Sequence, residues 1–365
     1  MKFIKGFFRF LLVIAALALI GAELYLHGAF DFYEKLDTIS SKEDLCDYTI
    51  GALSEGKDEF KIYTKNITES DIKHINSDIS SFYGTVESYT IINEKSDGTK
   101  KIKVELKVSE NQNVYKALVE KDDSISLTER EQAVYDKAKT VLSEIIKKGM
   151  SDYDKEEAIH DYIVKNCIYQ KGSEGTKAGS DIYTPYGVLI DGAAVCNGYA
   201  ETMYLLLNAC GIESQVVVGK ADGENHAWNI VKIDGVWYQL DTTWDDPVPD
   251  QVENVQYTFF NLPDEAMAKT HTWANDRYPE CKDASNTYFK KHKLVCKDYT
   301  SFIKKANKAI DKKKEYISLM VPKYNEDEYN LSFVMDSHPE IAKASYSTVD
   351  SSMGTVINLM ITYSE

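Results

Sequence analysis

The chain has 365 residues, more than one ordinary core accommodates, so two or three domains are expected. It is 43% hydrophobic and 27% charged with only 7 Pro and 19 Gly, a globular composition that excludes a low-complexity or collagen-like chain. A net charge of -16 excludes non-specific binding to nucleic acid, which demands a basic face. The six cysteines (46, 167, 196, 210, 281 and 296) form no C-x-x-C pair and no Cys/His cluster at zinc spacing, and no EF-hand loop is present. Neither a metal nor a cofactor is expected.

Lys2, Lys5 and Arg9 precede the apolar run from Phe10 to Ala22, which resumes at Leu24. A basic flank before such a run is an export signal or signal anchor, covering 1–30. The basic flank would stay in the cytoplasm and the rest would lie outside, anchored in the membrane or secreted after cleavage. Residues 31–125 read as a small α/β domain. Phe60–Tyr63 alternates like a strand, Ile67–Ser70 opens a helix carrying Ile72, Ile75 and Ile79, and Val86–Ile91 and Ile102–Val108 form a hairpin around Ser96-Asp97-Gly98.

A second domain spans 126–286. Thr128 and Glu131 carry a capping-box signature, followed by helical periodicity from Val134 to Ile146. A second helix starts at Ser151 with its apolar face at Ala158, Ile159, Tyr162, Ile163 and Cys167, which leaves His160 on the polar side as a surface histidine. The polar loop 172–180 reads as a cleft wall or lid. A last small α/β domain, 287–365, contains a basic helix from Lys304 to Lys314 and strands at Tyr316–Val321 and Val356–Ile361. Cys281 and Cys296 are a disulfide candidate.

The chemistry-bearing residues fall between 186 and 247. The run from Cys196 to Cys210 is apolar nearly all round, as in a buried central helix closed by Gly211. Asp191-Gly192 turns the chain upstream, so Cys196 lies at the helix N-terminus. Unpaired N–H groups there favour a thiolate and can hold an oxyanion. Downstream, Ala227–Ile233 and Val236–Thr243 read as a hairpin around Asp234-Gly235. With a two-residue turn, paired positions sum to 469, which puts His226 and Asp241 on one face, diagonal to each other. Cys196 as nucleophile, His226 as base and Asp241 as its orienting carboxylate follow from that geometry.

These residues also carry a resemblance. Tyr-Gly-Val-Leu-x-x-Gly-x-Ala-Val-Cys-x-Gly-Tyr-Ala at 186–200, His-Ala-Trp-Asn-Ile-Val at 226–231 and Trp-Tyr-x-Leu-Asp-x-Thr-Trp-Asp-Asp-Pro at 237–247 resemble the bacterial transglutaminase-like superfamily, as does the helix around Ala158–Ile163. The resemblance covers about 130–285. It implies an α+β, papain-like core: a central helix carrying the Cys, packed on an antiparallel sheet carrying the His and Asp, with small α/β units flanking it. It implies Cys196, His226 and Asp241 as the triad. Tyr186, Asn197, Gly198, Tyr199, Trp228 and Trp244 are the residues it places around the cleft and oxyanion, while Asp245 and Asp246 brace the loop after Asp241. The resemblance leaves three readings open: a cysteine hydrolase acting on amide bonds of proteins or cell-wall peptides, a transglutaminase joining a glutamine acyl group to an amine, and a retired module for adhesion or assembly.

Overall fold

The computed structural model describes residues 37–79, 82–170, 181–246, 255–329 and 332–364. The expected N-terminal signal and the 172–180 loop lie outside the described residues. No helix among the described residues is long and apolar enough to cross a membrane. The described chain divides into two compact units, one of residues 37–76 and 85–108, the other of 77–84 and everything from 109 onward.

In the first unit, strand β1 (Thr38–Ile39), helix α1 (Lys42–Ser54), β2 (Glu59–Thr64), helix α2 (Glu69–Lys73), β3 (Gly84–Glu94) and β4 (Lys100–Val108) follow in order. The sheet runs β1-β2-β4-β3. Alternation in β2 buries Phe60 and Ile62. Helix α2 opens on a reciprocal Thr68–Asp71 capping box but ends at Lys73, so the expected longer helix through Ile79 does not form.

The second unit begins its main core with α3 (Glu129–Ile145), whose Thr128–Glu131 capping box is formed, and α4 (Asp152–Asn166). Two short strands, β5 (Ile168–Tyr169) and β6 (Ala193–Ala194), pair in parallel and lead into α5 (Cys196–Ala209). Every residue of α5 from Gly198 to Leu207 is buried, as expected of a helix apolar nearly all round, and the one buried charge, Glu201, accepts from the side-chain amides of Asn111 and Asn197. A sheet ordered β10-β7-β8-β9 lies against it, built from β7 (Ser214–Ala221), β8 (Glu224–Ile233), β9 (Val236–Leu240) and β10 (His271–Trp273). Leu205, Leu206 and Leu207 of α5 share one core with Ile159 and Ile163 of α4 and with Val231, Ile233, Tyr238 and Leu240 of the sheet.

The β8–β9 register is Ile233↔Val236, Val231↔Tyr238 and Asn229↔Leu240, so the pairs do sum to 469. Asp234 and Gly235 have φ of 52° and 82°, the double positive that a type I′ turn demands.

Helix α6 (Tyr299–Ile310) lays Phe302, Ala306 and Ile310 on a sheet ordered β11-β13-β12, from β11 (Tyr316–Val321), β12 (Ile341–Ser351) and β13 (Gly354–Tyr363). The basic helix therefore starts five residues earlier than its lysines suggest, because Asp298 and Ser301 cap it reciprocally. Cys281 and Cys296 are separate buried free thiols, so the disulfide candidate is not a disulfide.

Replacing Gly235 by Val puts a β-branched residue at positive φ. Equilibrium urea unfolding is expected to show a loss of about 1–3 kcal/mol, and the His226–Asp241 alignment should loosen with it.

Candidate active site

Cys196 occupies the first position of α5, after Val195 in extended conformation. The polar face of this helix start is fixed by its neighbours. The Asn197 amide donates to the Tyr183 carbonyl at 2.7 Å and to Glu201 Oε1 at 2.6 Å, and Val195 N–H donates to the Ile182 carbonyl at 2.9 Å. At Gly198 a Cβ would lie 2.8 Å from the Ile182 carbonyl oxygen and 2.9 Å from Ala194 Cβ, so only glycine lets this loop close against the helix. The first-turn N–H groups of α5, which have no partner within the helix, remain beside the thiol.

His226 on β8 directs Nε2 to Asp241 Oδ2 at 2.7 Å; the expected strand through Thr243 ends at Leu240, and Asp241 follows the last ladder pair with its N–H donated to the Phe259 carbonyl at 3.1 Å. Asp241 is fully buried. Its Oδ1 accepts from the backbone N–H of Thr243 (3.0 Å) and Trp244 (3.2 Å), and its Oδ2 accepts a second histidine, His271 Nε2, at 3.1 Å. Burial opposes the ionised carboxyl, but the His226 charge and the hydrogen bonds from His226 and His271 prevail and hold it well below the usual carboxylate range. An ionised carboxylate only accepts, so Nε2 of His226 carries the proton and Nδ1 is the nitrogen left for the thiol. Burial also disfavours the His226 imidazolium, but Asp241, together with Cys196, pushes its pKa up to about 10.

His271 was not visible as a site residue in the sequence. It sits on the short edge strand β10, paired only with β7, 30 residues beyond Asp241. Thr270 Oγ1 lies 2.8 Å from its Nδ1, and the Trp244 ring packs 4.7 Å away between centroids. With Nε2 turned to the carboxylate, this histidine is a fixed donor rather than a mobile base. His226, Asp241 and His271 place three donor atoms within 4.8 Å of one another and are the described group that could hold a metal ion. Each imidazole is already hydrogen-bonded to the carboxylate, so a cation would have to displace both N–H protons.

An open cavity of about 560 Å³ exposes Cys196 and His226, and Trp244, Tyr169 and Thr243 also line it. Of the residues expected around the cleft, Trp244 lines it, whereas Tyr186, Asn197, Gly198, Tyr199 and Trp228 do not. Their side chains support the frame, while the backbone N–H groups of Asn197 and Gly198 belong to the first turn of α5. The Arg130 guanidinium covers the Tyr186 ring at 3.6 Å, the Tyr199 hydroxyl donates to Asp246 Oδ2, and the buried Trp228 indole donates to Gln239 Oε1 at 2.6 Å. Tyr169 carries no local sequence signal for a place in the cleft. Its strand is two residues long, and the β5–β6 pairing that brings it beside the entry to α5 is non-local.

His160 is a correction. It is fully buried, not on the surface, with Nδ1 3.4 Å from Asp161 and Nε2 3.3 Å from the buried Asp245. The loop after Asp241 folds over the polar side of α4 and supplies that partner: Asp245 N–H donates to the Asp241 carbonyl at 3.2 Å, and Asp245 Oδ1 accepts Phe259 N–H at 2.9 Å. Burial works against the His160 charge, and Asp161 and Asp245 outweigh it, raising its pKa to about 9. The expected bracing role of Asp245 thus runs through a histidine of the preceding helix.

Residues 139–242 match the family model of the transglutaminase-like superfamily, so the α+β core formed by α4, α5 and the β7–β9 sheet is a transglutaminase-like domain. Human kyphoscoliosis peptidase is 24% identical over 157 residues, covering 39% of this chain and 23% of that protein, and the mouse protein matches to the same extent. The chain thus spans about a quarter of the length of these curated relatives. Among solved structures, a crystal structure of a TGase is 17% identical, covers 60% of this chain and 61% of its own, and superposes with a TM-score of 0.28. A candidate cysteine protease from Cytophaga hutchinsonii is 16% identical over 53% of this chain and 67% of its own, with a TM-score of 0.26.

The raised His226 pKa has a definite sign in stability. The imidazolium–carboxylate pair stabilises the fold fully from pH ~4 to the unfolded histidine value of about 6.5 and loses that contribution as pH rises through about 10. The stability difference between the wild type and His226→Gln should therefore be flat between pH ~4 and ~6.5, shrink toward pH ~10, and shrink again below pH ~4 as the Asp241 carboxylate is protonated in the unfolded chain. Urea midpoints measured across that range check it.

Proposed function

We propose that the chain is an extracytoplasmic, thiol-dependent acyl-transfer enzyme that hydrolyses amide bonds of proteins or cell-wall peptides. The observation that supports this most is the alignment of Cys196 at a helix N-terminus with His226, whose other nitrogen is tied to a buried, ionised Asp241. The basic-then-apolar N-terminal sequence motivates the location and the membrane attachment.

In this mechanism His226 Nδ1 takes the proton from Cys196 Sγ, and the thiolate attacks the substrate carbonyl carbon. The first-turn N–H groups of α5 receive the oxyanion. When the C–N bond breaks, His226 returns its proton to the leaving amine, and the acyl group stays on sulfur as a thioester. Water, deprotonated by Nδ1, then attacks the thioester; the acid departs and the proton ends on Sγ. Asp241 keeps Nε2 protonated throughout and stabilises the imidazolium. His271 acts through Asp241 as a positioning residue.

A specific observation favours transamidation as the second reading. Asp222, Glu224 and Asp246 line the cleft beside Cys196, an acidic mouth that would draw in a protonated primary amine such as a lysine side chain. An amine then takes the place of water at the thioester.

Incubating the full chain in uncharged detergent with a mixed peptide library, with and without a labelled primary amine, tests the proposal. Cys196-dependent appearance of new amino termini is expected, and amine incorporation instead would select the second reading. Neither product, or products that persist in Cys196→Ala, would overturn both.

His271→Phe keeps a packed ring but removes the donor to Asp241. We expect turnover to fall by about tenfold to hundredfold with KM little changed, as for a misoriented catalytic group. A change confined to KM would contradict the positioning role.

A further inference from the structure

The basic helix has no part in the chemistry at Cys196, yet it faces a second cavity of about 750 Å³. Seven lysines line this groove and no aspartate or glutamate does. In a chain with 58 acidic and 42 basic residues, that is a local inversion of charge. Lys304 and Lys308 lie one helical turn apart on the face of α6 opposite Phe302, Ala306 and Ile310, and Lys312 continues the row past the helix end. Lys293 and Lys314 add two more ammonium groups.

Few of these charges are paired. Lys165 bonds Asp161 at 3.0 Å and Lys305 Nζ donates to the Lys293 carbonyl. Among the described residues, Lys293, Lys304, Lys308, Lys312 and Lys314 have no carboxylate partner, and all five are exposed. Like charges this close repel one another, a cost that only counter-anions relieve. The groove also has an aromatic side: Tyr257 and Tyr288 stack with ring centroids 3.6 Å apart, and Tyr316 joins them in the lining. The hydroxyl of Tyr257 is anchored on Asp161 at 2.8 Å, which fixes the flat ring pair beside the cations.

A cationic row next to fixed aromatic faces suits a ligand with repeated anions on a backbone that packs against rings. A single phosphate would neutralise two of these charges and leave the others repelling. We propose that this groove binds a linear polyanion of sugar or polyol units joined by phosphodiesters, holding the protein on such a polymer through a site separate from Cys196. Nucleic acid shares the phosphodiester charge, but the -16 net charge of the chain repels a long stiff duplex that extends beyond the groove.

The test measures binding of fluorescently labelled poly(glycerol phosphate) to the full chain in uncharged detergent, with neutral dextran and duplex DNA as comparisons. The wild type should bind the polymer, weaken steeply as salt is raised, and ignore dextran. A Lys304→Glu/Lys308→Glu variant should bind at least tenfold more weakly while its thermal midpoint and Cys196 alkylation rate stay at wild-type values. If that variant fails to fold, Lys304→Gln/Lys308→Gln serves, with a smaller loss expected. Equal binding by the variant, tighter binding to DNA, or attachment to phosphatidylglycerol vesicles that free polymer does not compete away would each overturn the proposal.

Discussion

The hydrogen bond between His226 and Asp241 is the interaction on which the rest of the site depends. A carboxylate buried without partners would cost several kcal/mol and would protonate instead. Asp241 stays ionised because four donors converge on it, two backbone N–H groups on Oδ1 and two histidines on Oδ2. The four donors come from three pieces of the fold: the turn after β9, the neighbouring strand β8 and the edge strand β10. The site therefore forms only when the sheet is assembled in register. A one-residue slip at Asp234-Gly235 would send the carboxylate to the opposite face.

A second histidine–carboxylate pair stands behind the first. His160 of α4 and Asp245 are both fully buried, and Asp245 N–H closes the turn onto the Asp241 carbonyl. The helix that precedes Cys196 is thereby fastened to the loop that follows Asp241. Burial pushes the Asp245 carboxyl pKa up, and His160 offsets that penalty. Removal of either partner would leave an uncompensated polar group in the core.

The legible parts of this chain were those governed by short-range rules. The Thr128 and Ser151 caps, the largely apolar run after Cys196 and the Asp-Gly turn each act within a few residues, and the register arithmetic holds along the ladder to Leu240, one residue before Asp241. What escaped was set by partners distant in sequence. His271 reaches Asp241 only because β10 adds to the edge of β7, and Tyr169 reaches the cleft through a two-residue pairing. His160 looked like a surface residue because α4 alone has a polar side there. The polar side is buried because the loop carrying Asp245, 85 residues on, folds over it and sets that carboxylate 3.3 Å from Nε2. A polar face in a helical pattern signals either water or a buried network, and periodicity alone does not distinguish them.

The central claim is that His226 activates Cys196. The rate of Cys196 alkylation by iodoacetamide at mildly acidic pH tests it most directly, followed by peptide mass spectrometry to separate it from the other five thiols. The account predicts rapid modification in the wild type and at least a tenfold loss in His226→Ala, with the other cysteines unchanged. Equal rates in the two proteins would contradict it.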